Sequence, residues 1–155
     1  MAVALTLETL GADLVAIAQC VAIDADAFPY PSGAFGARSA RDLVWIVREP
    51  ADGRVAGFLA GRVSRQGLWV TGIAVRRDRR RRGFARALLR ASVERAACAG
   101  LPQVLLCVSV TNRPAIALYE SEGFEVAERL RAYYSPLVYG GDGDALKLRR
   151  ALATS

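Results

Sequence analysis

The stretch that most constrains the fold of this 155-residue chain runs from residue 68 to 110. Leu68-Trp69-Val70-Thr71-Gly72-Ile73-Ala74-Val75 has strand composition and stops at a run of arginines, Arg76-Arg77-Asp78-Arg79-Arg80-Arg81-Arg82-Gly83. Phe84, Ala85, Leu88, Leu89, Val93, Ala96 and Ala97 then recur at helical spacing until Gly100 and Pro102 end the pattern. Val104 to Val110 is apolar on both faces, as in a strand covered by helices on both sides. Strand, helix and strand in that order predict a right-handed parallel crossover, with a charged loop at the carboxyl end of its first strand.

The flanking sequence predicts a mixed, largely antiparallel sheet around that crossover. Val3–Leu7 reads as a strand, Asp13–Ala22 as an amphipathic helix, and Ala34–Asp42 as a weaker helix beyond the breakers Phe28-Pro29-Tyr30-Pro31-Ser32-Gly33. Leu43–Glu49 and Arg54–Val63 form a hairpin about Pro50-Ala51-Asp52-Gly53, and a second turn at Ser64–Gly67 leads into Leu68. Past Val110, Asn112 and Pro114 open a short helix that Gly123 closes, and Phe124–Leu130 and Ala145–Leu148 supply the last strands. The expectation is one α/β domain over residues 1–155, with six or seven strands and helices on both faces. A chain of this length buries roughly 70% of its unfolded surface without staples.

Composition narrows the chemistry. The chain has no histidine, which removes Ser-His-Asp and Cys-His catalysis and His-ligated zinc. Cys20, Cys98 and Cys107 are isolated among apolar residues, so neither a metal site nor a disulfide framework is expected, and a reducing, cytoplasmic setting fits. The first residues lack the pattern of a signal peptide, and no apolar stretch approaches a membrane span, so no membrane partner is expected. Twenty-one basic residues, of which Lys147 is the single lysine, stand against 15 acidic ones, for a net charge of +6. That excess points to a polyanionic partner.

Where the charge sits decides which. A loop between a strand and a helix N-terminus presents backbone N–H groups and the positive end of the helix dipole to an anion, and the small residues Gly83 and Ala85 let a ligand approach the backbone. Nucleic acid is disfavoured because no aromatic residues interleave with the arginines to stack bases, and the helix that follows must turn its apolar stripe toward the sheet.

Arg80-x-x-Gly83-x-Ala85 resembles the signature of the GCN5-related N-acetyltransferases, in which this loop binds the pyrophosphate of acetyl-CoA. The resemblance covers about the whole chain: Ile73-Ala74-Val75 before the loop, Asn112 with Ala115-Ile116-Ala117-Leu118-Tyr119-Glu120 after the next strand, then Gly123-Phe124. Ala27-Phe28-Pro29-Tyr30, Leu118-Tyr119-Glu120-Ser121-x-Gly123-Phe124, Tyr133-Tyr134 and Asp144-Ala145 are similar to the bacterial ribosomal-protein alanine N-acetyltransferases and relatives that acetylate protein N-termini. The resemblance implies acetyl-CoA as co-substrate and no metal, with direct acetyl transfer to an amine, most simply a protein or peptide N-terminus, by a monomer or a homodimer. It assigns Tyr119 as the acid that protonates the departing thiolate. Cofactor contacts fall to the backbone of Ile73, Ala74 and Val75, to Arg80, Arg81, Arg82, Gly83, Phe84, Ala85 and Arg86, and to Asn112; substrate contacts fall to Tyr30, Tyr133 and Tyr134. The cofactor carries roughly four negative charges, about two of them on its 3'-phosphate, to meet the six arginines of Arg76–Arg82.

One position departs from the pattern. Where the alanine acetyltransferases carry a glutamate as general base, this chain has Cys107, and no carboxylate lies between Leu101 and Pro114. With no histidine anywhere and no nearby lysine to lower its pKa, Cys107 is expected to be a buried, inert thiol. A water relay to a backbone carbonyl, to Glu120 or to Glu49 is the remaining route for the proton. An α-amine (pKa about 8) is more readily deprotonated than a lysine amine (about 10.4), by about 3 kcal/mol, which favours an N-terminal acceptor. Acetylation of a small-molecule amine and a catalytically weak CoA-binding sensor are the alternatives. Asn112 has a second role open to it as a helix cap, and Asp142 and Asp144 among their glycines read as a hairpin turn.

Overall fold

A computed structural model of the chain describes residues 7–28 and 42–153. The expected helix over 34–42, Tyr30 and most of the strand expected over 3–7 lie outside the described residues. The elements in chain order are β1 (Leu7–Thr9), α1 (Leu14–Ala27), β2 (Asp42–Arg48), β3 (Val55–Ser64), β4 (Gly67–Val75), a 3-10 turn (Arg77–Arg79), α2 (Phe84–Cys98), β5 (Gln103–Ser109), α3 (Arg113–Ser121), β6 (Glu125–Leu130), α4 (Pro136–Tyr139) and β7 (Ala145–Ala151).

The strands are hydrogen-bonded in the order β1-β2-β3-β4-β5-β7-β6. β1–β2, β2–β3, β5–β7 and β6–β7 are antiparallel, and β4–β5 is the parallel pair demanded by the α2 crossover. Its pairing runs from Leu68 opposite Val104 to Val70 opposite Leu106. Sequence adjacency suggests β6 beside β5, yet β7 takes that place along all seven of its residues.

The chain divides into two compact units, Met1–Val63 with Thr71–Ser92, and Ser64–Val70 with Val93–Ser155. In the first, α1 is longer than its periodicity suggests. Asp13 is its N-cap, with Oδ1 accepting from Val15 N at 3.0 Å and Ala16 N at 3.2 Å, and the helix continues to Ala27 because Ile23 and Asp24 extend its buried face. It stops at Phe28, whose extended backbone suits a residue preceding proline. Ala16, Cys20 and Ile23 pack on Val44, Ile46, Phe58 and Ala60, which pair across β2 and β3 and share one face. On the opposite face Leu88 of α2 approaches Gly57. Both faces of the hairpin are thereby buried, which explains its near-continuous apolar sequence.

In the second unit Leu106, Val108, Ala145 and Leu148 form the interior of β5 and β7, and Tyr119 and Phe124 bracket the end of α3 with ring centroids 6.0 Å apart. Gly67 has φ +139°, and a Cβ there would collide with the carbonyl oxygen of Gln103, so the β3–β4 turn is seated on the start of β5. Gly67→Ala is expected to cost about 2 kcal/mol or more. Gly53→Ala, at φ +69° with nothing within 4 Å of the added Cβ, should cost about 1 kcal/mol. Urea unfolding midpoints of the two variants check the difference.

Candidate active site

The loop after β4 lies within the first unit. Its start is fixed by Arg76 N donating to Ala56 O at 2.7 Å, and Gly57 permits the close approach, since a Cβ there would stand 2.8 Å from Ala74 O. Four of the six arginines are then held by carboxylates. Arg76 Nε reaches Asp78 at 2.7 Å, and Arg77 grips Asp26 of α1 with Nη2 at 2.9 Å and Nε at 3.3 Å. Arg79 Nε meets Glu49 at 2.7 Å, while Arg80 donates from Nε to Val75 O at 3.1 Å and from Nη2 to Asp26 at 3.5 Å. The bond from Arg76 holds the Asp78 carboxyl below its ordinary range.

Arg81 and Arg82 are left exposed, with no ion pair or hydrogen bond among the described residues. Arg81 adopts φ +61° and Gly83 φ +84°. Arg81 is thus a non-glycine residue held in the left-handed region, a conformation that costs about 1–3 kcal/mol and clusters at ligand sites. An ideal Cβ on Gly83 meets nothing within 4 Å, so the turn is open on its outer side. The first turn of α2 contains no acidic residue, and its leading N–H groups have no helical acceptor. Backbone donors, helix dipole and two uncommitted guanidiniums are thus adjacent along the chain, a combination suited to a phosphate.

The other expected cofactor residues contribute in different ways. Ala74, Val75 and Phe84 are buried, so only their backbones can face a ligand; Ile73, Ala85 and Arg86 are half-buried. Arg80 is pinned along the loop by Val75 O and Asp26. Glu49, one of the carboxylates considered for the amine proton, is engaged by Arg79.

The second unit gathers Tyr119, Tyr133, Tyr134, Cys107 and Asn112. Asn112 is the N-cap of α3, its Oδ1 accepting from Ala115 N at 3.3 Å, so the capping role is realised. Tyr119 is buried, and burial pushes its phenol up to about 12. Tyr133 stacks edge-on against Tyr134 at 4.8 Å, and Tyr134 lies 4.4 Å from the Tyr139 ring. Burial raises the half-buried Cys107 thiol above its usual value, against a smaller lowering from the Tyr133 hydroxyl, and burial likewise raises Tyr133 and Tyr134. At neutral pH these four side chains are therefore proton holders.

Asp144 does more than shape a turn. It is buried, its Oδ1 accepting from Ala132 N at 2.9 Å and its Oδ2 from Arg129 Nε at 2.8 Å, with Ala132 at φ +49°. Those bonds, led by the one from Ala132, hold the Asp144 carboxyl below its ordinary range. Asp144 thereby fixes the bend that delivers Tyr133 and Tyr134. Sequence reasoning missed this role and the anchoring role of Asp26, because a carboxylate shows its distant partner only after folding.

A family model described as the acetyltransferase (GNAT) family matches residues 17–124. The chain belongs to that acetyltransferase family. It is 37% identical over 111 residues, 71% of this chain and 74% of the relative, to the ribosomal protein bS18-alanine N-acetyltransferase of Salmonella typhimurium. The crystal structure of the ribosomal-protein-S18-alanine N-acetyltransferase from Escherichia coli superposes with a TM-score of 0.83 at 28% identity, covering 97% of this chain and 96% of that one. The Arabidopsis thaliana NAA60 structure with a bisubstrate analogue shares the fold at a TM-score of 0.76 and 22% identity, covering 97% of this chain and all of that one.

Two outcomes follow for this acetyltransferase. At pH 7.5, exposed Cys98 should be alkylated by iodoacetamide well before Cys107, whose desolvated thiol stays protonated; peptide mapping over time checks the order. Because the folded state holds the Tyr119 proton up to about pH 12 against an ordinary 10.0, its contribution to stability is complete below pH 10 and lost as pH rises through 12. Tyr119→Phe should therefore remove about 2 kcal/mol of the stability loss between pH 9 and pH 12, read from urea unfolding at each pH.

Proposed function

We propose that this protein uses acetyl-CoA to acetylate the N-terminal α-amine of a protein by direct transfer. The observation that carries the cofactor reading is the open turn at Arg81–Gly83, where two exposed, unpaired arginines directly precede the start of α2. The acceptor reading is supported by the relative from Salmonella typhimurium, a ribosomal protein bS18-alanine N-acetyltransferase.

In this reading the turn and the N–H groups of α2 bind the pyrophosphate, and Arg81 and Arg82 supply charge-assisted contacts. The backbone of Ile73–Val75 orients the pantetheine arm, and the side-chain amide of Asn112, left over from capping, is available to the cofactor. Acetyl-CoA supplies the activated acyl thioester. The chain positions the amine against it and hydrogen-bonds the carbonyl oxygen, the source of most of the rate enhancement in such a transfer. Tyr119 retains its proton at working pH and gives it to the leaving sulfur. Tyr133 and Tyr134 border the acceptor peptide.

Calorimetric titration of acetyl-CoA into the pure protein, then CoA release with an Ala- or Ser-starting peptide, a lysine peptide and a polyamine, tests this reading. Micromolar binding and turnover confined to the α-amine peptides are expected. Preference for the polyamine would move the acceptor to small molecules, and binding without turnover on any amine would leave a CoA sensor. Gly83→Val should weaken acetyl-CoA at least tenfold, because a β-branched residue cannot hold φ +84° without strain and its side chain fills the open side of the turn. Tyr119→Phe should lower kcat about tenfold or more while leaving the acetyl-CoA dissociation constant unchanged.

A further inference from the structure

The second unit holds a carboxylate that the sequence does not connect to the site. Cys107 on β5 stands opposite Lys147 on β7, and Lys147 stands opposite Glu128 on β6. Directly opposed residues point to the same face, so the three side chains form one rung across the sheet. Strand spacing places the Cα of Glu128 about 10 Å from that of Cys107, a span that a glutamate side chain and one water can cover. Behind burial and the Tyr133 hydroxyl, the Cys107 thiol also responds to the Lys147 charge, which lowers it, and to the Glu128 charge, which raises it.

Lys147 and Glu128 oppose each other and yet form no ion pair, and neither side chain makes a hydrogen bond among the described residues. The Lys147 ammonium instead lies 5.3 Å from the ring centroid of Trp69 on β4. Glu128 is exposed and uncommitted. A bulge between Val126 and Glu128 restores it to the face of Cys107. The other charged pair on that face is Glu125 opposite Arg149, while Arg129 is turned to Asp144 and Asp142. Cys107, Tyr133, Tyr134 and Tyr119 are all proton holders, so Glu128 is the carboxylate on this face that lies on the Cys107 rung.

We propose that Glu128, on the rung of Cys107 and Lys147, accepts the proton of the acceptor ammonium through one water, replacing a base on β5. This inference rests on the acetyl-transfer reading. The acceptor enters as R–NH3+, and one proton passes through the water to the Glu128 carboxylate. The nitrogen lone pair of R–NH2 attacks the thioester carbonyl, the C–N bond forms, and the C–S bond breaks with its electron pair on sulfur. Tyr119 protonates that sulfur, the second nitrogen proton restores the Tyr119 phenol, and Glu128 releases its proton to solvent. The products are R–NH–acetyl, CoA–SH and one proton.

Glu128→Gln tests it against Glu125→Gln, a like change on the same strand and face. In steady-state kinetics with an Ala-starting peptide, Glu128→Gln should lower kcat/KM about 100-fold at pH 7, and the deficit should shrink as pH rises past the amine's own value of about 8. Calorimetry at pH 6.5 should show the same peptide binding the Glu128→Gln protein several-fold more weakly, with acetyl-CoA affinity unchanged. Glu125→Gln should match wild type throughout. Wild-type kcat/KM, pH profile and peptide affinity in Glu128→Gln would overturn the assignment while leaving acetyl transfer standing. A wild-type protein that acetylates no amine would overturn both.

Discussion

Mutual repulsion among six arginines in seven residues is the constraint around which the candidate site is arranged. At contact distances each pair of like charges costs about 1 to 4 kcal/mol depending on exposure, so carboxylates that meet the arginines relieve repulsion as Arg76–Arg82 closes into a turn. Asp78 comes from the loop itself, Glu49 from the end of β2 and Asp26 from α1, and together they engage Arg76, Arg77 and Arg79, with Asp26 also taking Arg80. Each exposed bridge is worth well under about 1 kcal/mol alone, but a shared network loses less side-chain entropy per contact than isolated pairs do. Two guanidiniums remain, and they are the two that directly precede Gly83.

That sorting leaves Arg81 and Arg82 as the uncommitted charges of the basic tract, the feature on which the proposed cofactor site rests. The pinned arginines bind the turn to α1 and to the end of the β2–β3 hairpin, while Arg81 keeps a strained, positive φ. Strain at this position is consistent with a ligand that repays it on binding. In the second unit the equivalent device is Asp144, which holds Ala132 in an uncommon conformation and so fixes where the paired tyrosines begin.

Much of this was legible in the sequence. Apolar periodicity located β2 to β5, α2 and α3 to within a residue or two, because those elements are bounded by strong breakers, Pro50 to Gly53, Gly100 with Pro102, and Asn112 with Pro114. The far end of α1 was not legible, since Asp24, a charged residue, lies on its buried side and interrupts the apolar pattern. Of the site, Gly83 and the arginines were visible as a motif. Which arginines stay uncommitted was not, because Asp26 and Arg77 are 51 residues apart and nothing local pairs them.

The sequence by itself determined the parallel crossover, the arginine-rich turn before α2 and the absence of imidazole chemistry, since each follows from residue type and spacing over short stretches. The tertiary structure alone decided the strand order in which β7 lies between β5 and β6. That order brings Lys147, and next to it Glu128, onto the rung of Cys107, where the sequence shows no carboxylate. Strand order is set by long-range pairing and burial, which local propensity does not encode, so the proposed proton acceptor emerges only when the sheet is assembled.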